Sequence, residues 1–355
     1  MHAPGVGDAA RAAPGSLTAR RPLVPPERLL AELEPAARFG AERFGTYRPA
    51  ADQPSQAAAL AACERFAAGV TAEGGGPGRW WRRRPAEAQT AGIYLDGGFG
   101  VGKTHLLASM WHAVHEVQPG GAAFGTFVEY TNLVGALGFR AAVDGLSGRR
   151  LVCIDEFELD DPGDTVLMSR LLRELDDAGV RLAATSNTLP DALGEGRFAA
   201  DDFRREIQAL AARFEVLRVD GPDYRHRGTP TAPEPPDDDT VRRWAGGRAG
   251  TTLDAFPDLL DHLAQVHPSR YGALLDGVLA VGLTGLRTVE DQAVALRLVV
   301  LVDRLYDRDL PLVTGGLGVD RVFAPELLAG GYRAKYRRAL SRLVALAHQG
   351  HGQLP

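Results

Sequence analysis

The chain has 355 residues, enough for one large domain or two ordinary ones with a sizeable core, and 45% hydrophobic with 24% charged residues is a globular composition. Forty basic residues against 45 acidic leave a formal charge of -5, which excludes a chain whose composition demands nucleic acid or an anionic membrane. Cys63 and Cys153 are too few for a disulfide framework and have no metal-ligand spacing, and no apolar run approaches the roughly 18 residues that span a bilayer, so a cytoplasmic protein without a transmembrane segment is expected.

In chain order, residues 1–22 are Ala/Gly/Pro-rich without a signal-type apolar stretch and read as a flexible tail. Residues 23–90 read as an N-terminal helical extension, with apolar positions at Leu29, Leu30, Leu33, Leu60 and Phe66 and an irregular stretch at Tyr47-Arg48-Pro49. It closes on a Gly/Pro loop followed by Trp80-Trp81-Arg82-Arg83-Arg84. Over residues 91–225 the texture changes to alternating strands and helices. Strands are predicted at Gly92–Leu95, near Phe124–Val128, at Leu151–Ile154, Val180–Thr185 and Phe214–Val219, and helices over Lys103–Val117, Asp164–Ala178 and Asp201–Ala212. That alternation implies an α/β fold, a central parallel sheet flanked by helices. Residues 226–251 hold four prolines and Asp237-Asp238-Asp239 without a period and read as a linker. Residues 252–346 read as a mostly helical, lid-like region with one strand at Leu310–Val313, and residues 347–355 as a tail.

Gly97-Gly98-Phe99-Gly100-Val101-Gly102-Lys103-Thr104 fits G-x-x-x-x-G-K-[ST] between a predicted strand and a predicted helix, the context that pattern requires. Glycines there can take positive φ and let bare backbone N–H groups surround phosphates, and the following helix adds its partial positive charge. Lys103 would reach the β- and γ-phosphates of ATP, and the Thr104 hydroxyl would ligate Mg²⁺. Only Lys103 and Lys335 are lysines among the 40 basic residues, so a lysine here invites a chemical reason. A dinucleotide-binding reading fails, because its third glycine would fall at Lys103.

Asp155 and Glu156 end the most apolar strand, where charge is costly unless it has a task. In a phosphate-loop enzyme Asp155 would hold Mg²⁺ and Glu156 would polarise the attacking water. Asn187 closes the next strand at the ligand-facing end of the sheet, where an amide can touch the γ-phosphate or orient water. Ordinary turn chemistry before Pro190 would explain it as well. His105, His112 and His115 lack a carboxylate or thiol at ligand spacing and are not expected to bind metal. Cys153 reads as a core thiol, and Trp80–Arg84 as an exposed loop ahead of a nucleic-acid contact.

These residues resemble the ZapE/AFG-like ATPases, a branch of the AAA+ class, from about Phe44 to Leu343. The resemblance rests on Gly92-Ile93-Tyr94-Leu95 before the loop, Asp155-Glu156-Phe157, Ala184-Thr185-Ser186-Asn187 with Pro190, and Val219-Asp220 with Asp223-Tyr224-Arg225. It continues with Arg297 ahead of Leu301-Val302-Asp303-Arg304-Leu305-Tyr306 and Arg338 ahead of Ser341-Arg342-Leu343. It implies Asn187 as γ-phosphate sensor, Arg297 as a second sensor, and a homo-oligomer in which a neighbour's arginine completes the site. The sequence departs from the family at that arginine: Ala200 stands three residues before Phe203, leaving Arg205, then Arg197, as substitutes, with Arg204 beside them.

The expected function is ATP hydrolysis, with Gly97–Thr104 holding ATP·Mg²⁺, used to remodel a protein client that the resemblance places at the division ring. Two rivals remain in view. A nucleic-acid motor would need a basic aromatic channel, and a non-hydrolysing scaffold would have no use for Glu156.

Overall fold

A computed structural model describes residues 13–72, 92–98, 100–158, 162–188, 208, 211–221 and 231–354. Two units divide them: residues 25–228 form one, and residues 13–24 join the chain from 231 onward in the other.

The first unit begins with a short helix α1 (Pro26–Ala31), two single 3-10 turns at Ala37–Phe39 and Phe44–Thr46, and the long helix α2 (Pro54–Ala72). The extension is therefore less helical than its apolar spacing predicts, because Pro35, Gly40 and Gly45 break it into turns. Then come β1 (Gly92–Asp96), α3 (Lys103–Val117), β2 (Ala122–Thr126), α4 (Phe127–Leu137), α5 (Phe139–Ser147), β3 (Leu151–Asp155), α6 (Pro162–Asp177), β4 (Arg181–Ser186) and β5 (Phe214–Arg218). The sheet order is β2-β3-β4-β1-β5 and every pairing is parallel. Each residue of β1 and β3 is buried, which is why Leu151–Ile154 of β3 is an unbroken apolar run.

Helix α3 packs Leu106, Leu107, Met110 and Val114, none of them exposed, against that sheet, and each contributes about 1.5–3 kcal/mol of burial. On α6 the inward stripe is Met168, Leu171, Leu172 and Leu175, while Val166, expected inside, is 44% exposed. Thr126 caps α4: its hydroxyl accepts from Glu129 N while the Glu129 carboxylate takes Thr126 N. Helices α4 and α5 had no counterpart in the sequence reading.

The second unit contains α7 (Asp238–Ala245), β6 (Thr251–Ala255), α8 (Phe256–Gln265), α9 (Tyr271–Leu274), β7 (Ala280–Leu286), α10 (Gln292–Asp307), β8 (Leu312–Gly316), α11 (Pro325–Ala329) and α12 (Arg333–His351). It is mostly helical, but its helices pack on a three-stranded parallel sheet, β6-β7-β8, of which only the last strand was legible. Burial raises the cost of ionising Asp303 on α10, yet Arg338 and Arg342 on α12 outweigh it and hold that carboxyl below its ordinary value.

Three boundaries change. The expected linker contains α7, with Asp237 as cap accepting from Thr240 N at 2.6 Å, Asp238 and Asp239 in the first turn, and Val241, Trp244 and Ala245 buried. The acidic run that looked like solvated linker is a helix start. Residues 347–351 are the last turns of α12; Gly350 lies so close to β8 that a Cβ would stand 2.1 Å from Leu312 O.

Residues 13–22 are no free tail in their described part. Gly15 pairs with Thr252 at the edge of β6, and Leu17 is fully buried. Buried Asp254 accepts from Ser16 Oγ (2.6 Å), Leu17 N (2.9 Å), Thr18 N (3.1 Å) and Thr18 Oγ1 (2.9 Å). Composition hid this, because one glycine, one leucine and two hydroxyls suffice for the attachment.

Candidate active site at the ends of three parallel strands

Adjacent strands β3, β4 and β1 end at the same edge of the sheet, so the segments following them converge. After β1 comes the glycine loop, with φ of +75° at Gly100 and +92° at Gly102, a region that only glycine enters without strain. Gly97 is needed for another reason: a Cβ there would lie 2.1 Å from Val219 O. The loop leads directly into α3, so the helix N-terminus opens onto it. Phe99 lies outside the described residues; Gly98 and Val101 complete the loop.

Lys103 is 8% exposed, and a buried ammonium needs acceptors. Its Nζ donates to Gly97 O (2.7 Å), Gly98 O (2.6 Å) and Asn187 Oδ1 (2.9 Å). The loop lysine and the polar residue ending β4 are thereby brought together. Thr104 Oγ1 lies 3.1 Å from both carboxylate oxygens of Asp155, which is also buried. A hydroxyl and a carboxylate at this spacing are hard oxygen donors of the kind magnesium takes, so the donor set fits that ion.

Glu156 adopts φ of +54°, a left-handed conformation that is uncommon away from glycine. Thr185 supports the turn: its hydroxyl donates to Asp155 Oδ1 and accepts from Glu156 N at 3.1 Å. One hydroxyl thus orients both members of the acidic pair. Lys103, Thr104, Asp155, Glu156, Thr185 and Asn187 line one cavity of about 250 Å³, which Phe39 and Glu42 also enter.

The sequence reading missed Thr185, Phe39, Glu42 and Tyr47. Thr185 stood inside a motif without a role, Phe39 and Glu42 lay in the extension read as helical, and Tyr47 in its irregular stretch. Tyr47 is buried; its hydroxyl donates to Val101 O at 3.1 Å, and a Cβ at Gly102 would meet its ring at 2.5 Å. At the end of β1, Asp96 pairs with Arg218; hydrogen bonds to Asp220 and Asp96 raise that guanidinium above its ordinary value.

Of the arginines expected to act here, Arg197 and Arg205 lie outside the described residues, as do Ala200, Phe203 and Trp80–Arg84. Arg297 sits on α10 of the second unit, where its guanidinium donates to Leu263 O (3.1 Å) and Val266 O (3.2 Å) at the end of α8. Cys153 is fully buried, and burial pushes its thiol well above the ordinary value.

A parallel sheet flanked by helices, with a lysine-bearing glycine loop beside an acidic strand end, defines a P-loop module. The chain belongs to the AFG1-like ATPase family, whose model matches residues 23–245 and 241–352. Among curated proteins it is 31% identical over 166 residues to the cell division protein ZapE of Escherichia coli K12, which covers 42% of this chain and 43% of that one. It is 30% identical over 155 residues to an uncharacterized protein of Schizosaccharomyces pombe, covering 40% of this chain and 34% of that protein. The chain thus spans under half the length of these relatives.

Among solved structures, AMPPCP-bound DnaA from Aquifex aeolicus matches with a TM-score of 0.37 and 12% identity over 50% of each chain. Domain III of the Thermotoga maritima replication initiation protein DnaA matches with a TM-score of 0.37 and 15% identity, over 87% of this chain and 96% of that one. No helix among the described residues is long and apolar enough to cross a membrane.

Proposed function

We propose that this chain hydrolyses ATP to ADP and phosphate, with Gly97–Thr104 cradling the phosphates and Glu156 activating the water. The observation that carries the reading is the joint placement of Lys103, Thr104, Asp155, Glu156 and Asn187 around one cavity. Loop N–H groups and the start of α3 bind and neutralise phosphate oxygens. The Lys103 ammonium, already turned toward Asn187, reaches the terminal phosphates, and the Asn187 amide reports on the γ-phosphate. Thr104 and Asp155 are the residues to hold Mg²⁺, which when bound withdraws charge from the β- and γ-oxygens. Glu156 takes the proton of the attacking water, and its turn is held by Thr185.

Arg205, then Arg197, are the proposed trans-acting arginines of a homo-oligomer assembled with ATP, and Arg297 is the proposed second sensor. The likeness to ZapE supports a cytoplasmic protein, recruited to the division site, that remodels a division-ring client at the expense of ATP. Nucleic acid is not the proposed client, given the acidic total.

The test compares the parent with Glu156→Gln. Expected is a fall in kcat of about 10²–10⁴-fold with ATP affinity retained. Equal turnover in the two proteins removes Glu156 as base. A parent that binds ATP tightly without turnover makes the chain a nucleotide-gated scaffold.

A further inference from the structure

Residues 37–47 form a strap along α3, attached at points spread from the glycine loop to the far end of that helix. His112, 8% exposed and two turns along α3 from the loop, places Nε2 2.9 Å from Phe39 O. One turn further on, the Glu116 carboxylate accepts from Arg43 Nε at 2.8 Å. Nearer the loop, His105 Nδ1 stands 2.9 Å from Glu42 Oε2, and its Nε2 lies 3.0 Å from Arg43 O and 3.1 Å from Thr46 Oγ1. The Tyr47 ring meets His105 edge-on at 5.3 Å and abuts Gly102.

The strap is thus fastened at three levels of the helix that carries Lys103 and Thr104. The residues it lends to the cavity are Phe39 and Glu42. Phe39 is the one purely hydrocarbon side chain among those described as lining it, the others being polar or glycine. Phosphates have no use for a phenyl ring, whereas a heterocyclic base has a flat apolar face to set against one.

We propose that His112, together with the Arg43–Glu116 pair, positions residues 39–47 as the wall on which the nucleoside end of the nucleotide rests. They act as positioning residues, setting affinity without touching the reacting atoms. This rests on the ATP-binding reading above. Histidine suits the task because His112 is buried and neutral: burial keeps its imidazole below the ordinary value, and Nε2–H donates to the Phe39 carbonyl. A leucine there would leave that carbonyl without its donor, while glutamine can place an N–H close to the same point.

The experiment titrates ATP and inorganic tripolyphosphate, both with Mg²⁺, into the parent, His112→Leu, His112→Gln and the exposed-clasp variant Glu116→Ala, and measures KM and kcat for ATP. Expected for His112→Leu is a loss of about tenfold in ATP affinity, with KM raised in proportion, kcat within about twofold and tripolyphosphate affinity unchanged. His112→Gln recovers most of the loss, and Glu116→Ala shows a smaller loss of the same kind. Glu116→Ala carries the test if His112→Leu does not fold, its site being on the surface.

The inference is overturned if folded variants bind ATP as the parent does, if tripolyphosphate weakens equally, or if the loss falls on kcat alone. Failure of the parent itself to bind ATP is a different result, which removes the ATPase reading and this one together.

Discussion

Gly97 and Gly102 owe their identity to different neighbours, so alanine should fail differently at each. At Gly97 the added methyl meets the backbone of Val219, which cannot give way without parting the loop from the end of β5. Gly97→Ala should lower stability by about 1–3 kcal/mol, read as a drop in Tm of the protein without nucleotide. At Gly102 the methyl meets the Tyr47 ring and φ is +92°, so Gly102→Ala distorts the loop and should show first as weakened ATP binding. Lys103→Ala should cost roughly 100-fold in ATP affinity by calorimetric titration, since a buried charge-assisted contact is lost; unchanged affinity would remove the loop as the phosphate site. Thr185→Val should lower kcat and leave ATP affinity near the parent's, because it frees the turn that aims Glu156 while the loop is untouched. Lys103 and Thr104 stand out in the sequence because the spacing of the glycine loop is set by phosphate geometry, and Asp155 and Glu156 because charge closes the most apolar strand. Thr185 and Phe39 do not, since a threonine in a strand and a phenylalanine in a turn acquire roles only from partners distant in sequence.

Elements follow the same logic one level up. Strands β1 and β3 and helix α3 were readable because burial on both faces, or on one helical stripe, leaves a periodic trace. Helix α7 left a weak one: eight residues opening on two aspartates, with a third as the cap before them, look like solvated linker until Val241, Trp244 and Ala245 are counted as one face. Asp237→Ala should therefore cost about 1 kcal/mol through the lost cap, measured by thermal or urea unfolding; no change would mean that the cap bond contributes nothing. The bridge at Gly15 was illegible because it is held by two backbone hydrogen bonds to the edge of β6 and, through residues 16–18, by one carboxylate, neither of which leaves a periodic trace. Asp254→Ala should release it, with faster tryptic cleavage after Arg20 as the readout. Cleavage at the parent's rate would show that apolar burial of Leu17 holds the segment without help.

At the scale of the molecule, acid should weaken the fold before it affects the carboxylates. Burial lowers His112, His262 and His267 from their ordinary value of 6.5. The unfolded chain then takes up protons near that pH while the folded one resists, so stability is complete above about pH 6.5 and falls as pH drops toward the lowered values. A urea midpoint that declines between about pH 7 and about pH 5 is expected, and one flat across that range would mean the three imidazoles protonate freely in place. The joining of residues 13–24 to the later unit bears on how the chain is made. Leu17 meets Asp254 across 237 positions, so at 5–20 residues per second a ribosome releases the early strand roughly 10–50 s before its edge exists. Toward the end of that interval, once residue 228 has been made, the first unit has its whole stretch of chain in hand while its neighbour still cannot close. Pulse-labelled nascent chains should accordingly gain protease resistance over residues 25–228 first, and at Arg20–Arg21 only after elongation has passed β6.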